Sequence, residues 1–278
     1  MNVKMRTHGT APYRVAVIHG GPGAAGEMAP VARRLASLTG ILEPLQTAGT
    51  VDGQVHELRA LLENGGALPV TLIGFSWGAW LGFILAARHP HAVGRLVLVG
   101  AGPFEQQYVP LLAQTRAARL SEGERAEYDD ILRRLGGSPG GDSDVLSTRL
   151  GALTSRTDSY DPLPLPPDPD PIEVRGELFR TVWEEAAAMR SSGELLALGR
   201  HIRCPVTAIH GDHDPHPAEG VRRPLAAVLD RFRFILLEKC GHKPWIERQA
   251  GDAFYRALEE ELKNSFRKDR PEGNATTG

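Results

Sequence analysis

The chain has 278 residues, 41% of them hydrophobic and 24% charged, with a formal net charge of −2. That is enough apolar material for one large core with an inserted subdomain, or at most two domains. No basic patch suits nucleic acid, no apolar run reaches the length of a membrane span, and no basic-plus-apolar leader opens the chain. A cytoplasmic protein without nucleic-acid or membrane partners is therefore expected.

In chain order, apolar runs predict strands near 13–19, 41–46, 69–75 and 94–100. Helix-period runs at 28–38, 52–63 and 77–89 lie between them. Only a dozen residues precede the first of these strands, and no strand is expected there. The alternation implies βαβ units and a mostly parallel sheet, an α/β fold flanked by helices. In the 77–89 helix, Trp80, Phe83, Ile84 and Ala87 mark a core-facing side, and Arg88 and His89 complement the helix dipole in the last turn.

From 102 to 203 the rhythm stops. Residues 116–135 read as a charged helix. The stretch 163–171 is too rich in proline for helix or central strand, and 177–198 is helical again. This region is expected to be a helical cap or lid inserted between two parts of one core, 1–101 and 204–263. The core resumes with strands at 205–210 and 232–238 and helices at 217–229 and 246–263. The polar tail, 264–278, is expected to be disordered. Cys204 and Cys240 are too few for a disulfide framework and read as buried thiols beside core strands.

The chemistry concentrates at the ends of predicted strands. Gly74-Phe75-Ser76-Trp77-Gly78 joins a strand to a helix with a serine at the apex, the spacing of a nucleophile elbow. A serine hydroxyl needs a general base, and that base needs a carboxylate to fix its tautomer. His242 follows the strand at 232–238. Asp212 and Asp214 both follow the strand at 205–210 and compete for the acid role. Asp214, further into the loop and followed by Pro215, is favoured, and Asp212 reads as a turn residue that bonds backbone N–H groups. His19-Gly20-Gly21-Pro22-Gly23 follows the first strand. Its Gly21 amide and the Trp77 amide after the serine are candidates for an oxyanion hole.

Together these residues resemble the α/β-hydrolase fold superfamily. His-Gly-Gly-Pro-Gly with Gly-x-Ser-Trp-Gly is similar to its proline iminopeptidase-like branch, over roughly residues 13–263. The resemblance implies Ser76, Asp214 and His242 as a triad and the Gly21 and Trp77 amides as oxyanion donors. It needs no cofactor or metal, and its partner is a small-molecule substrate. It implies a serine hydrolase of esters or amides, with aminopeptidase-like cleavage as one version. Two features depart from that branch: the usual first hairpin is missing, and the shorter cap lacks an evident acidic pair for a free amino terminus. Phe75, Phe104 and the Trp77 ring are placed near the mouth of the site. By analogy with the iminopeptidase lid, Glu184 is the candidate for binding a substrate amine.

Three rival readings use the same residues. Gly21-Pro22-Gly23-Ala24-Ala25-Gly26, with Glu43 beyond it, matches a dinucleotide fingerprint. That reading leaves Ser76, Asp214 and His242 unexplained. His210, His213 and His216 with the two aspartates form a metal-like cluster, but without the spacing of known zinc motifs. A ligand receptor or regulator on the same fold, with slow or no turnover, is the alternative function.

Overall fold

The computed structural model describes residues 5–136, 143–164 and 176–267. Seven strands form one sheet: β1 (Met5–His8), β2 (Tyr13–Ile18), β3 (Gly40–Pro44), β4 (Val70–Phe75), β5 (Val93–Val99), β6 (Val206–Gly211) and β7 (Phe232–Leu237). Their order is β1-β3-β2-β4-β5-β6-β7, and only the β1–β3 pair is antiparallel. Six strands fall within one or two residues of the apolar runs that announce them. β1 was not expected. Its sequence Met-Arg-Thr-His has no apolar run to mark it. Instead it adds to the edge of β3, where Arg6 and His8 approach the buried Glu43 carboxylate, His8 Nε2 at 2.7 Å.

The sheet is covered on both faces, so its central strands are buried throughout, as parallel strands usually are. In β4, Val70 and Leu72 face one layer while Ile73 and Phe75 face the other, the period of two that a strand imposes. The first layer holds α2 (Val51–Gly65), α3 (Trp77–Arg88) and α9 (Glu219–Val228). The second holds α1 (Ala29–Leu35) and α10 (Gly251–Arg267). Each large apolar side chain buried this way contributes about 1.5–3 kcal/mol. α10 runs past the expected boundary at 264, because Leu262 and Phe266 still pack on the core and Ser265 bonds Thr71 at 2.7 Å.

Between β5 and β6 lie α4 (Val109–Arg119), α5 (Glu122–Gly136), α6 (Ser143–Asp158), α7 (Gly176–Ser191) and α8 (Glu194–Ala197). The single helix expected over 116–135 is two helices. Ser121 and Glu124 form a reciprocal capping box that starts α5, with Ser121 N–H donating to Glu124 at 2.9 Å. α6 was not anticipated. Most of the proline-rich stretch at 163–171, and the tail beyond 267, lie outside the described residues.

α7 packs on α3, stacking Trp183 on Trp80 with ring centres 5.6 Å apart. α3 is therefore buried on every side from Trp77 to Ala87, not on one face. A helix apolar all round is what such a sandwiched position demands. Glu185 of α7 accepts the Val51 N–H at 2.7 Å and so caps α2.

The strand order also locates the site. The chain passes from β2 to β3 on one side and then crosses to β4 on the other side of β2. The crevice outside the carboxyl ends of β2 and β4 is thus a topological switch point, where open α/β sheets bind ligands. The His19–Gly23 glycine loop leaves β2 there, and Ser76 leaves β4 there.

Candidate active site

Ser76 sits between β4 and α3 at φ 51°, ψ −112°, a conformation L-residues rarely adopt. Its N–H donates to Val99 C=O at 2.9 Å, and its own C=O accepts from Ala79 N–H at 3.1 Å. The flanking glycines are required by crowding. A Cβ on Gly74 would lie 2.2 Å from the Gly78 carbonyl oxygen. One on Gly78 would lie 2.5 Å from the His19 oxygen and 2.6 Å from the Ile18 oxygen. In Gly74–Gly78 only Ser76 keeps appreciable exposure.

The loops after β6 and β7 meet beside it. His242 Nδ1 lies 2.7 Å from Asp214 Oδ2, within a buried site. Asp212 does something else: its Oδ1 accepts the Cys240 N–H at 3.1 Å and ties the two loops together. Phe75, next to the serine, packs on His242 with ring centres 4.7 Å apart, and on Trp245 at the same distance. Gly100, one residue past the Val99 that holds Ser76, has φ +51°. A Cβ there would fall 2.9 Å from the His242 oxygen and 3.1 Å from its Nδ1. Phe75 and Gly100 thus bring the Asp214–His242 pair against the segments on either side of Ser76's backbone, at the sheet's carboxyl edge.

Asp214 has further partners that the sequence reading did not assign. His216 N–H and His216 Nδ1 reach its Oδ1 at 2.9 and 2.8 Å, and His210 Nε2 lies 3.6 Å from its Oδ2. Burial alone pushes the Asp214 pKa up, but the adjacent His242, His216 and His210 outweigh it and hold the carboxyl well below its usual range. Burial lowers His216 and His19, favouring their neutral forms.

The metal-like histidine cluster resolves differently from its appearance in the sequence. Ligand atoms of Asp214, His216 and His242 lie within 4.8 Å of one another. However, the two imidazoles are stacked, centres 4.5 Å apart and 28° from parallel, and their Nδ1 atoms address separate carboxylate oxygens. Near-parallel rings suit two N–H···O bonds rather than a convergent ion site.

The other predicted residues divide between the crevice and elsewhere. Gly21 lies in the loop after β2 and Trp77 opens α3, with its N–H among those that have no intrahelical partner. The Trp77 ring is in the core, its Nε1 bonded to Gln54 at 2.9 Å, and so does not line the mouth. Phe104 is likewise fully buried against Trp80 and Phe83. Glu184 is on the exposed side of α7. Glu43, the acidic residue of the dinucleotide reading, is buried and engaged by His8. Burial raises both thiols, Cys204 to about 11.

The helical insertion is fastened to the histidine loop. His242 N–H donates to Asp158 C=O at 2.7 Å. The buried Glu247 carboxylate accepts N–H bonds from Tyr160 at 2.9 Å, Asp161 at 2.8 Å and Gly241 at 3.0 Å. Lys243 pairs with Glu27, which lies between the glycine loop and α1, at 2.6 Å.

The sequence profile of the alpha/beta hydrolase family matches residues 12–257. The chain belongs to that family. It is similar to the pimeloyl-[acyl-carrier protein] methyl ester esterase of Chromobacterium violaceum, 26% identical over 202 residues and covering 70% of each chain. It is also similar to the biotin biosynthesis bifunctional protein BioHC of Teredinibacter turnerae, 23% identical over 63% of this chain but only 30% of that protein. Among solved structures, VinJ matches with TM-score 0.66 at 20% identity, covering 94% of both chains. The enol-lactonase of Burkholderia xenovorans LB400 matches with TM-score 0.56 at 22% identity, over 93% of this chain and 95% of that one. The proline iminopeptidase of Mycobacterium smegmatis matches with TM-score 0.62 at 16% identity, over 96% of both. At these identities the solved structures share the fold. Among the described residues of this hydrolase-family chain, no helix is long and apolar enough to cross a membrane.

Proposed function

We propose that this protein is a serine hydrolase that cleaves an ester of a small molecule through an acyl-enzyme. The observation that carries the reading is the Asp214–His242 bond of 2.7 Å, with His242 packed on Phe75, the residue before a strained, partly exposed Ser76. In this reading Asp214 fixes the Nδ1–H tautomer of His242 and leaves Nε2 free to accept a proton. His242 takes the Ser76 proton as Oγ attacks the carbonyl. The Gly21 and Trp77 amides stabilise the oxyanion, and His242 then protonates the leaving group. Water, deprotonated by the same imidazole, releases the acid and restores the serine. No cofactor enters these steps. The insertion acts as a lid. Its fastening to the His242 loop supports this, as does α4, which has no fully buried residue.

The ester preference rests on the esterase relative, which covers 70% of the chain. An amide-cleaving, aminopeptidase-like enzyme would need an anion for the substrate amine, and exposed Glu184 faces solvent instead. Hydrolysis of p-nitrophenyl acetate and butyrate, compared with proline and alanine p-nitroanilides, tests the reading. Turnover of the esters above the anilides is expected. Preferential anilide cleavage would reverse the assignment, and no turnover of either would bring the receptor reading forward.

A further inference from the structure

A carboxylate bonded through one oxygen can turn about its terminal torsion, whose preference is broad. Asp214 is held through both. Oδ2 meets His242, and Oδ1 is gripped by the backbone and ring of His216. The backbone bond is an Asx turn that any residue except proline would supply at position 216. The ring bond is particular to histidine. His216 also stacks on His242, whose ring is packed by Phe75 as well. His216 is anchored in turn: His210 Nε2 bonds the His216 carbonyl oxygen at 2.8 Å, which fixes that loop against β6.

We propose that His216 is a positioning residue: its imidazole N–H holds the Oδ1 edge of Asp214 so that Oδ2 stays aligned on His242. The inference rests on the serine-hydrolase reading and adds a second imidazole to the proposed triad's acid. The bond requires Nδ1 of His216 to carry its proton, and a neutral ring does so without competing with the imidazolium that forms on His242. Burial favours that neutral form. The other charged and titratable groups facing this cluster include Arg116 and Arg119 of α4, Asp158 at the end of α6, His210 of β6, His213 in the same loop and Cys240 after β7.

The test is the rate at which a fluorophosphonate phosphonylates Ser76, with loss of fluoride, followed against pH by intact mass, in wild type, His216→Phe and His216→Asn. Phe keeps a ring of similar size without the donor. Asn keeps a donor near the Nδ1 position without the ring. His216→Phe is expected to lose about tenfold or more in rate. Its acid limb should move to higher pH, because Asp214, freed of one donor, concentrates its charge on His242. His216→Asn should recover most of the rate and return the limb. A wild-type rate and limb in His216→Phe would overturn the inference. So would a uniform loss with an unmoved limb, or a His216→Asn variant as impaired as His216→Phe. An independent arm needs no variant: nitrogen-15 histidine spectra of wild type should contain two hydrogen-bonded imidazole Nδ1–H signals from this cluster, and one alone would contradict it. Wild type that is unlabelled at Ser76 would sink the hydrolase reading and this inference with it. Labelled wild type with an unaffected His216→Phe sinks this inference alone.

Discussion

Gly100 lies against His242 so closely that a methyl group on it would be 2.9 Å from the histidine's carbonyl oxygen and 3.1 Å from Nδ1. Gly100 directly follows the residue whose carbonyl holds Ser76, so one short segment sets both the serine's backbone and the space left for the imidazole. Gly100→Ala is therefore expected to act twice. The positive φ costs about 1–3 kcal/mol, which thermal unfolding would read. The displaced imidazole should lower turnover on the order of 100-fold, the penalty of an ångström's misplacement. A variant with wild-type activity would show that a methyl group at position 100 does not displace the imidazole.

The two aspartates of the Gly211-Asp212-His213-Asp214 turn should separate cleanly. Asp214→Asn keeps the shape but loses the charge and the tautomer control, and a fall in kcat on the order of 10^3–10^4-fold is expected. Asp212→Ala loses one bond to the Cys240 N–H, worth roughly 1 kcal/mol of stability, with kcat within tenfold of wild type. Steady-state kinetics of both variants on one activated ester would decide, and the reverse pattern would transfer the acid role to Asp212.

Glu247 joins the helical insertion to the histidine loop through three backbone N–H bonds. Glu247→Ala strands those donors, and a loss on the order of 3 kcal/mol is expected in denaturant unfolding. Glu247→Gln keeps one acceptor oxygen and should fall between. Unchanged stability in Glu247→Ala would show that the insertion is held elsewhere.

Stability should decline in two stages on acidification. Burial lowers His19 and His216, so below about pH 6.5 the unfolded chain binds protons that the folded chain does not, and stability drops as pH falls. The depressed Asp214 carboxyl contributes in full above about pH 3.9 and is lost as pH falls further. Melting temperatures from pH 8 to pH 3 would reveal both stages, and His19→Asn should flatten the first. A melting temperature constant from pH 8 to pH 5 would contradict the neutral buried histidines.

Much of this architecture was legible in the sequence because parallel strands buried on both faces write themselves as near-continuous apolar runs. Val70–Phe75 and Val206–Gly211 are such runs. β1 escaped because an edge strand paired on one side can be Met-Arg-Thr-His. The split between α4 and α5 was written in Ser121 and Glu124, a capping box inside a charged stretch otherwise uniform enough to read as one helix. Strand-end placement put His242 opposite both Asp212 and Asp214, and Asp214 was favoured only by its position further into the loop, before Pro215. The role of His216 was not legible, because a histidine two residues after an aspartate reads equally as a metal ligand or a loop residue. The Asx turn at Asp214 was the available local signal: it folds residue 216 back over the carboxylate. Phe104 and the Trp77 ring were misplaced for a different reason, since proximity in sequence to the elbow does not say which side of α3 a ring takes.

The central claim is an activated nucleophile at Ser76, and fluorophosphonate labelling of wild type and Ser76→Ala with intact-mass readout tests it most directly. A single adduct on wild type and none on Ser76→Ala is the predicted result. Folded wild type that takes no adduct, or a Ser76→Ala variant that is labelled equally, would contradict it.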